Sequence, residues 1–578
     1  MKSRRKLKER LAGKRDETMP SIVHETDVLI IGAGAAGAAA AIEAGQAGVR
    51  TLVLAKGPMT KTGITPLGFT GYSAVTGLDP EDSPELHFRD TVVAGRYLSD
   101  QNLVEVMTAS GGESAKKLLQ YGVNFQEEKG TLLLRQAPGM SRPRMLRIPA
   151  GGRHLIDVLK KEVARYPNIR VMTDLTVSDL LQNGRRVVGA LVFDLKTGES
   201  LAVHARATIL ATGGKGQLWP YTDCPPESTG DGLLLAYCAG AELIDLEQEL
   251  FYPTVVIYPE HIRGLEISYE TFLKPGAKII NRLGENIAPV GDILPTRDQL
   301  SNQIFKEIKE GRGTEHGGVR IDLRAASPSH KEYVQNFLPA YRRLKHFGIE
   351  ITEETLEVSP AAHTSLGGVR IDPDTHTSLK GLFAAGETTG GVHGANRLAG
   401  QAWLGCIVFG SRAGKLAAAF AKESGGGPLD ENSLHMAEEN LKKFIAPETG
   451  RHRPYQALQE IKSLMWEYVG LRRSAGMMQK GLARIEALRE EVLAGLKVAP
   501  TPGYNLEWAQ ALQVRSLIMA AEMLTRAALF REESRGTHFR EDFPKQDDAN
   551  WLAHTMIRKD GNQMQVGRIP VILHRLHP

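Results

Sequence analysis

A chain of 578 residues with 42% hydrophobic and 24% charged residues exceeds what one core holds and is too apolar to be disordered, so several packed units are expected. Its net charge of +4 is local: residues 1–17 carry eight Lys/Arg against three acids, and the body is left at −1, which excludes a nucleic-acid footprint. That basic stretch has no apolar h-region, so residues 1–20 read as a solvated disordered tail and not as a signal peptide. The longest uncharged runs, Val28 to Ile42 and Thr62 to Leu78, are too short and too rich in Gly, Ala and Thr to span a bilayer. No transmembrane segment is expected, and the compartment read from this is the cytoplasm, or the membrane periphery through a partner.

In chain order, the first element is a short apolar run, Val28 to Ile31, which breaks at GAGAAG and continues into an Ala-rich segment with high helix propensity. A second apolar run, Thr51 to Ala55, follows at the spacing of a βαβ crossover. In such a unit Gly32 permits the tight turn, Gly34 lets a pyrophosphate approach the backbone, and Gly37 lets helix and strand pack closely. A Gly/Ala-rich turn in an ordinary α/β domain is the plain alternative, but strand and helix flank the motif on the correct sides, which favours a dinucleotide site. The usual acidic residue of an NAD site is replaced by Ala55-Lys56, and the motif alone leaves NAD or FAD open.

Residues 60–76, rich in Gly and Thr, read as a loop lining a cofactor, and 85–122 have a helical period. Arg170 to Asp174, Gly184 to Asp194 and Leu201 to Leu210 read as strands, the last ending in small residues, Ala211 to Gly214, with a second such ending at Gly381 to Gly391. Residues 21–245 and 355–425 are therefore expected to form one discontinuous nucleotide-binding domain. The insert, 246–354, reads as an α+β capping or lid domain with a strand at Ala277 to Asn281 and helices from Thr296 to Glu310 and Lys331 to His346. After the linker Ser424 to Pro428 a helical domain (430–545) is expected, with an apolar stripe of Leu506, Ala509, Leu512, Leu517, Met519, Ala521, Leu524 and Ala528, then an extension, 546–578. Cys224, Cys238 and Cys406 are far apart, so no zinc or iron–sulfur site is expected in this chain; such a cluster belongs to a partner.

GAGAAG with LAKGPMT, ATGGKGQLWPYT, STGDGLLLAYCAGAELIDLEQ, PTRDQL, AAHTSLGGVRID, LFAAGETTGGVHGANRLAGQAW, LMWEYVGLRR and ESRGTHFREDFP follow one another in an order that resembles the flavoprotein subunits of succinate dehydrogenase and fumarate reductase, and L-aspartate oxidase. The resemblance covers residues 25 to about 555. It implies an α/β FAD-binding domain, Rossmann-like and doubly wound, with an inserted α+β capping domain and a C-terminal helical bundle. It implies FAD over NAD, lined by Gly32, Gly34, Ala36, Gly37, Lys56, Thr212, Gly213, Asp231, Glu387 and Ala402-Trp403-Leu404, where the last stretch departs from the family's usual residues. Relatives that attach FAD covalently do so through a histidine; the matching stretch here is Thr60-Lys61-Thr62-Gly63, which places Thr62 and Gly63 at the flavin and implies non-covalent FAD.

For the chemistry, the resemblance implies Arg297 as the acid/base, and His363 and Arg397 as ligands of a small substrate carboxylate. Taken by itself, Arg297 would be an ion-paired arginine at a helix start, and His363 a satisfied core or turn residue. The family's HPT reads Tyr252-Pro253-Thr254, and its Thr-Glu-x-x-Arg-Gly reads Tyr269-Glu270-Thr271-Phe272-Leu273-Lys274, so Glu270 survives while a cation is lost. Three functions are carried forward. The first is an FAD-dependent reductase/dehydrogenase that acts on a C–C bond next to a carboxylate and exchanges electrons with an iron–sulfur subunit. The second is a free-standing L-aspartate-oxidase-like enzyme, and the third an FAD scaffold with an inactive site. The lost cation leads to a substrate whose far end is neutral, larger or aromatic, unless Lys274 restores the charge.

Overall fold

The protein is described by a computed structural model over residues 23–69, 71–288, 294–444, 452–501 and 503–578. The basic tail lies outside the described residues.

The first strand, β1 (Val23–Ile31), is buried and apolar through its second half and pairs in parallel with β2 (Thr51–Ala55); helix α1 (Ala35–Gln46) makes the crossover. Strand β3 (Ile169–Thr173) extends the sheet beyond β2. On the other side lie β4 (Leu175–Asn183), β5 (Arg186–Asp194) and β6 (Ser200–Leu210), with β6 parallel to β1 and the β4–β5–β6 meander antiparallel. The order is β3-β2-β1-β6-β5-β4, and Leu382–Ala384 joins β6 in parallel from far along the chain. Strand β4 was not among the sequence expectations: its polar second half breaks the apolar run that marks its neighbours, yet it is long enough to build the meander.

Helix α2 (Gln401–Glu423) packs on α1 at a distance only glycine permits. A Cβ on Gly410 or Gly414 would collide with the backbone of Ala36 or Ala40. By length and composition α2 could cross a membrane, but most of its apolar residues from Trp403 to Ala421 are buried in the core.

The insert has its own core, built from residues such as Val256, Phe272, Leu300, Ile304, Val334 and Val358. Its sheet is antiparallel, with β7 (Glu249–Tyr258) and β8 (Leu356–Ser365) as the two long strands that carry the chain from the dinucleotide half into the insert and back. Residues 331–346 are two helices, Pro328–Phe337 and Tyr341–His346, because Pro339 cannot continue the first. In the C-terminal part, Leu506–Phe530 is buried on most sides from Ala511 onward and not along one stripe; Leu506, expected in the buried stripe, is instead 65% exposed at the helix start. The extension is a hairpin, Ala553–Asp560 and Gln563–Pro570, whose first strand pairs with Leu243–Ile244.

Candidate active site

The glycine turn does what its spacing requires. Gly32 has φ 109, where a side chain would strike the Ala211 carbonyl, and a Cβ on Gly37 would strike the Gly32 carbonyl, so strand, turn and helix close up on one another. Helix α1 starts at Gly34 without a side-chain cap, leaving its first N–H groups and the positive end of its dipole toward a groove; Ala35 N–H donates to Thr65 Oγ1 at 3.1 Å. Gly32, Gly34, Ala36, Lys56, Thr62, Gly63, Thr212, Gly213, Asp231 and Glu387 all line this groove, as expected for cofactor residues. Lys56 pairs with Asp231 at 2.5 Å and donates to Thr229 Oγ1 at 2.7 Å. An uncapped helix end facing a glycine-lined groove fits an anionic dinucleotide.

Four expected cofactor residues do not line the groove. Gly37 packs under it, and Ala402, Trp403 and Leu404 turn away: the Trp403 indole lies against Gly68 and Gly152, and Leu404 faces Gly111. The helical period brings a later residue round instead, so Cys406 lines the groove, together with Thr65, Leu175, Val177 and Glu227, none of which the sequence reading named as a cofactor residue. Thr65 sits in the loop already read as cofactor-lining.

The five chemical candidates converge where β7 and β8 meet the dinucleotide half. Arg397 Nη2 lies 3.1 Å from His363 Nε2, and His363 Nδ1 lies 2.7 Å from an Asp223 oxygen. The arginine donates to the ring, which in turn donates to the carboxylate, so Asp223 sets the tautomer. Asp223 and Glu266, which converges on the same histidine, were missed by the sequence reading. Arg397 also donates to the Leu398 carbonyl at 2.9 Å, while its Nε is buried with no partner. Burial, then the charge of Arg297, pulls Arg397 down to about 9, an environment that an arriving anion relieves.

Opposite, Arg297 opens the helix Arg297–Lys309, where the N-cap Thr296 N–H donates to Gln299 Oε1 at 3.0 Å. Its Nη2 donates to Glu270 Oε1 at 3.1 Å, its guanidinium lies 4.9 Å from the centre of the Tyr252 ring, and its Nη1 is buried without a partner. Burial works against its charge, but Glu270 outweighs that and raises the pKa above the ordinary range. Tyr252 donates to the other Glu270 oxygen at 2.5 Å, and Ser268 adds a second donor at 3.1 Å. Glu270 is lowered despite burial, because Arg297 and these donors favour the carboxylate. A cavity of about 280 Å³ opens here between insert and dinucleotide half, with Arg297, Glu270 and Glu266 on its wall.

The segment ESRGTHFREDFP does not reach this cavity. Its Glu533 pairs with Arg535 at 2.7 Å and with Arg531, two residues before the segment, at 2.8 Å; Arg531 pairs in turn with Glu247 at 2.6 Å, all fully buried, which ties the C-terminal part to the start of β7.

Residues 27–402 match the FAD binding domain family, and residues 458–578 match the fumarate reductase flavoprotein C-terminal family. The chain belongs to the fumarate reductase/succinate dehydrogenase flavoprotein family. A fumarate reductase (CoM/CoB) subunit from Methanothermobacter marburgensis is 37% identical over 95% of this chain and 100% of its own length. The L-aspartate oxidase of Synechocystis is 32% identical over 92% of this chain and 97% of its own. Among solved structures, Mycobacterium smegmatis Sdh1 superposes with a TM-score of 0.88 at 30% identity, covering 96% of each chain. The FrdA chain of E. coli quinol fumarate reductase does so at 0.88 and 26%, covering 96% of this chain and 98% of its own. The protein is accordingly an FAD-binding flavoprotein and an FAD-dependent oxidoreductase, with the fold expected from the sequence.

Proposed function

We propose that this flavoprotein interconverts a C–C single and double bond next to a carboxylate. The observation that carries the reading is the buried, unpartnered Nε of Arg397, beside His363 and across from the cap-borne Arg297. Two cations in one closed site disfavour the empty state, and a carboxylate is the group whose charge and shape relieve that. Bound FAD supplies hydride chemistry at its ring. The Arg397–His363 pair holds the substrate carboxylate through the Arg397 guanidinium, which His363 positions through its Nε2 while Asp223 fixes the ring of His363. Arg297 exchanges a proton with the adjacent carbon, in the role the family resemblance implies, while Glu270 holds its guanidinium. The insert acts as a lid: Arg297 sits on it, so the set is complete only when insert and dinucleotide half close on substrate, which also excludes water.

The test is enoate reduction by the purified FAD-loaded protein with reduced methyl viologen as donor. Arg297→Ala should lower kcat by about 10²–10⁴-fold, the range of a lost general acid, with the FAD-to-protein ratio unchanged. Substantial retained turnover would remove Arg297 from the mechanism.

The chain works as the flavoprotein of a larger assembly and passes electrons to a partner carrying iron–sulfur clusters; the relatives named as subunits support this. Reduced flavin in the isolated chain should then reoxidise slowly in air. Fast reoxidation without a partner would favour the free-standing oxidase, a reading the L-aspartate oxidases at similar identity keep in play.

A further inference from the structure

Taken from the cap motif alone, the far end of the substrate would be neutral. The polar groups of that motif are indeed consumed internally: Tyr252 and Ser268 donate to Glu270, Tyr269 donates to the Pro295 carbonyl at 3.0 Å, and Leu273 is buried. The Lys274 ammonium lies 3.4 Å from the centre of the Tyr333 ring and is absent from the cavity wall. Of these cap groups only Arg297 Nη1 is left without a partner, and that arginine is assigned to the reacting carbon.

The opposite wall tells otherwise. Arg135 and Arg147, on two paired strands of the dinucleotide half, Leu134–Arg135 and Met145–Arg147, both line the 280 Å³ cavity beside Arg297. Among the described residues neither makes an ion pair, although most arginines of this chain do. Arg135 reaches only Gln126, at 3.4 Å, lies 5.4 Å from the centre of the Phe337 ring, and has its Nε buried without a partner. Arg147 is held below the ordinary arginine range by burial and by the neighbouring Arg135 charge. The acids on the wall do not answer them. Glu270 is engaged by Arg297, and Glu266 is pushed toward its neutral form by burial and senses the His363 end. Two adjacent cations facing a cavity without a counter-charge call for an anion from outside.

We propose that the cavity takes a second anionic group of the substrate, held by Arg135 and Arg147, so that the substrate is an enoate longer than a four-carbon diacid with an oxyanion at its far end. The proposal rests on the carboxylate-binding reading of His363 and Arg397. It replaces the neutral far end and predicts that fumarate is handled weakly, because a four-carbon diacid would leave the two arginines without their counter-charge.

The experiment compares trans-2-hexenoate with trans-hex-2-enedioate, which differ only in the far carboxylate, and adds fumarate, all with reduced methyl viologen. A charge-assisted grip predicts kcat/KM for the six-carbon diacid about 10–100-fold above the mono-acid, and above fumarate. Arg135→Gln and Arg147→Gln should each shrink that preference, mainly through KM, with FAD content unchanged. Equal values for the two six-carbon acids, or a preference that survives both substitutions, would overturn the proposal. A binding measurement separates this failure from failure of the enoate reading: anaerobic thermal shift with the saturated pair adipate and hexanoate. If no enoate is reduced but adipate stabilises the protein more than hexanoate and Arg147→Gln abolishes the difference, the cavity assignment stands and the reaction falls. If adipate and hexanoate act alike, the cavity assignment falls.

Discussion

Glu387 sits where the strand Leu382–Ala384 gives way to the cofactor groove, partly buried on its wall, with the Ser365 N–H donating to its Oε1 at 2.9 Å. Burial outweighs that donor and lifts its carboxyl from 4.5 to about 7. Because the folded pKa is raised, the contribution to stability is complete below about 4.5 and is lost as pH rises through about 7. At 1.36 kcal/mol per unit the wild-type apoprotein should lose about 3 kcal/mol across that window relative to Glu387→Gln. Urea unfolding of both proteins from pH 4.5 to 7.5 measures the difference, and parallel curves would contradict the assignment. Gly63 makes a second prediction at this scale. It has φ 78 and open space where a side chain would be, and glycine offers no nucleophile, so acid precipitation should release all flavin into the supernatant. Yellow colour retained in the pellet would refute non-covalent binding.

The element that most resembles a signature of the family, ESRGTHFREDFP, works as a clamp. Its Glu533 holds both Arg535 and the preceding Arg531, Arg531 is buried against Glu247, and Thr537 donates to Gln248 at 2.8 Å, so it seats the C-terminal part on the residues that enter β7, the strand carrying Tyr252. Glu533 serves Arg531 and Arg535 together. Glu533→Ala leaves two arginines buried with one partner fewer, and should cost about 3–5 kcal/mol in chemical denaturation. Glu541→Ala, which removes a 41% exposed partner of the 20% exposed Arg472, should cost under about 1 kcal/mol. Similar losses for both would deny the clamp its role.

Across the whole molecule, two cores meet at the cavity, with Arg297 on the insert and Arg135 and Arg147 on the dinucleotide half, while Arg397 lies off its wall beside His363. Three cations around one space hold the halves against their mutual repulsion, so an anion bridging them to Arg397 should stabilise the closed arrangement. Adipate at 100 times its Kd should add about 2.7 kcal/mol to unfolding stability under anaerobic conditions. Arg397→Met should abolish most of that gain, and a ligand effect that persists in this variant would place the anion elsewhere.

Local sequence was enough for whatever depends on near neighbours. The turn at Gly32, the crossover to β2, the groove residues from Lys56 to Glu387, and the trio Arg297, His363 and Arg397 all lie in short motifs whose spacing or resemblance carries their meaning. The tertiary structure decided what depends on segments far apart. Asp223 and His363 are separated by 140 residues, and Arg531 and Glu247 by 284, and no period or propensity encodes such a meeting. Arg135 and Arg147 look like ordinary surface arginines in the chain. They become a candidate site only because the insert folds over them with every nearby acid already engaged or neutralised, a balance of charge that exists only once the two halves are packed together.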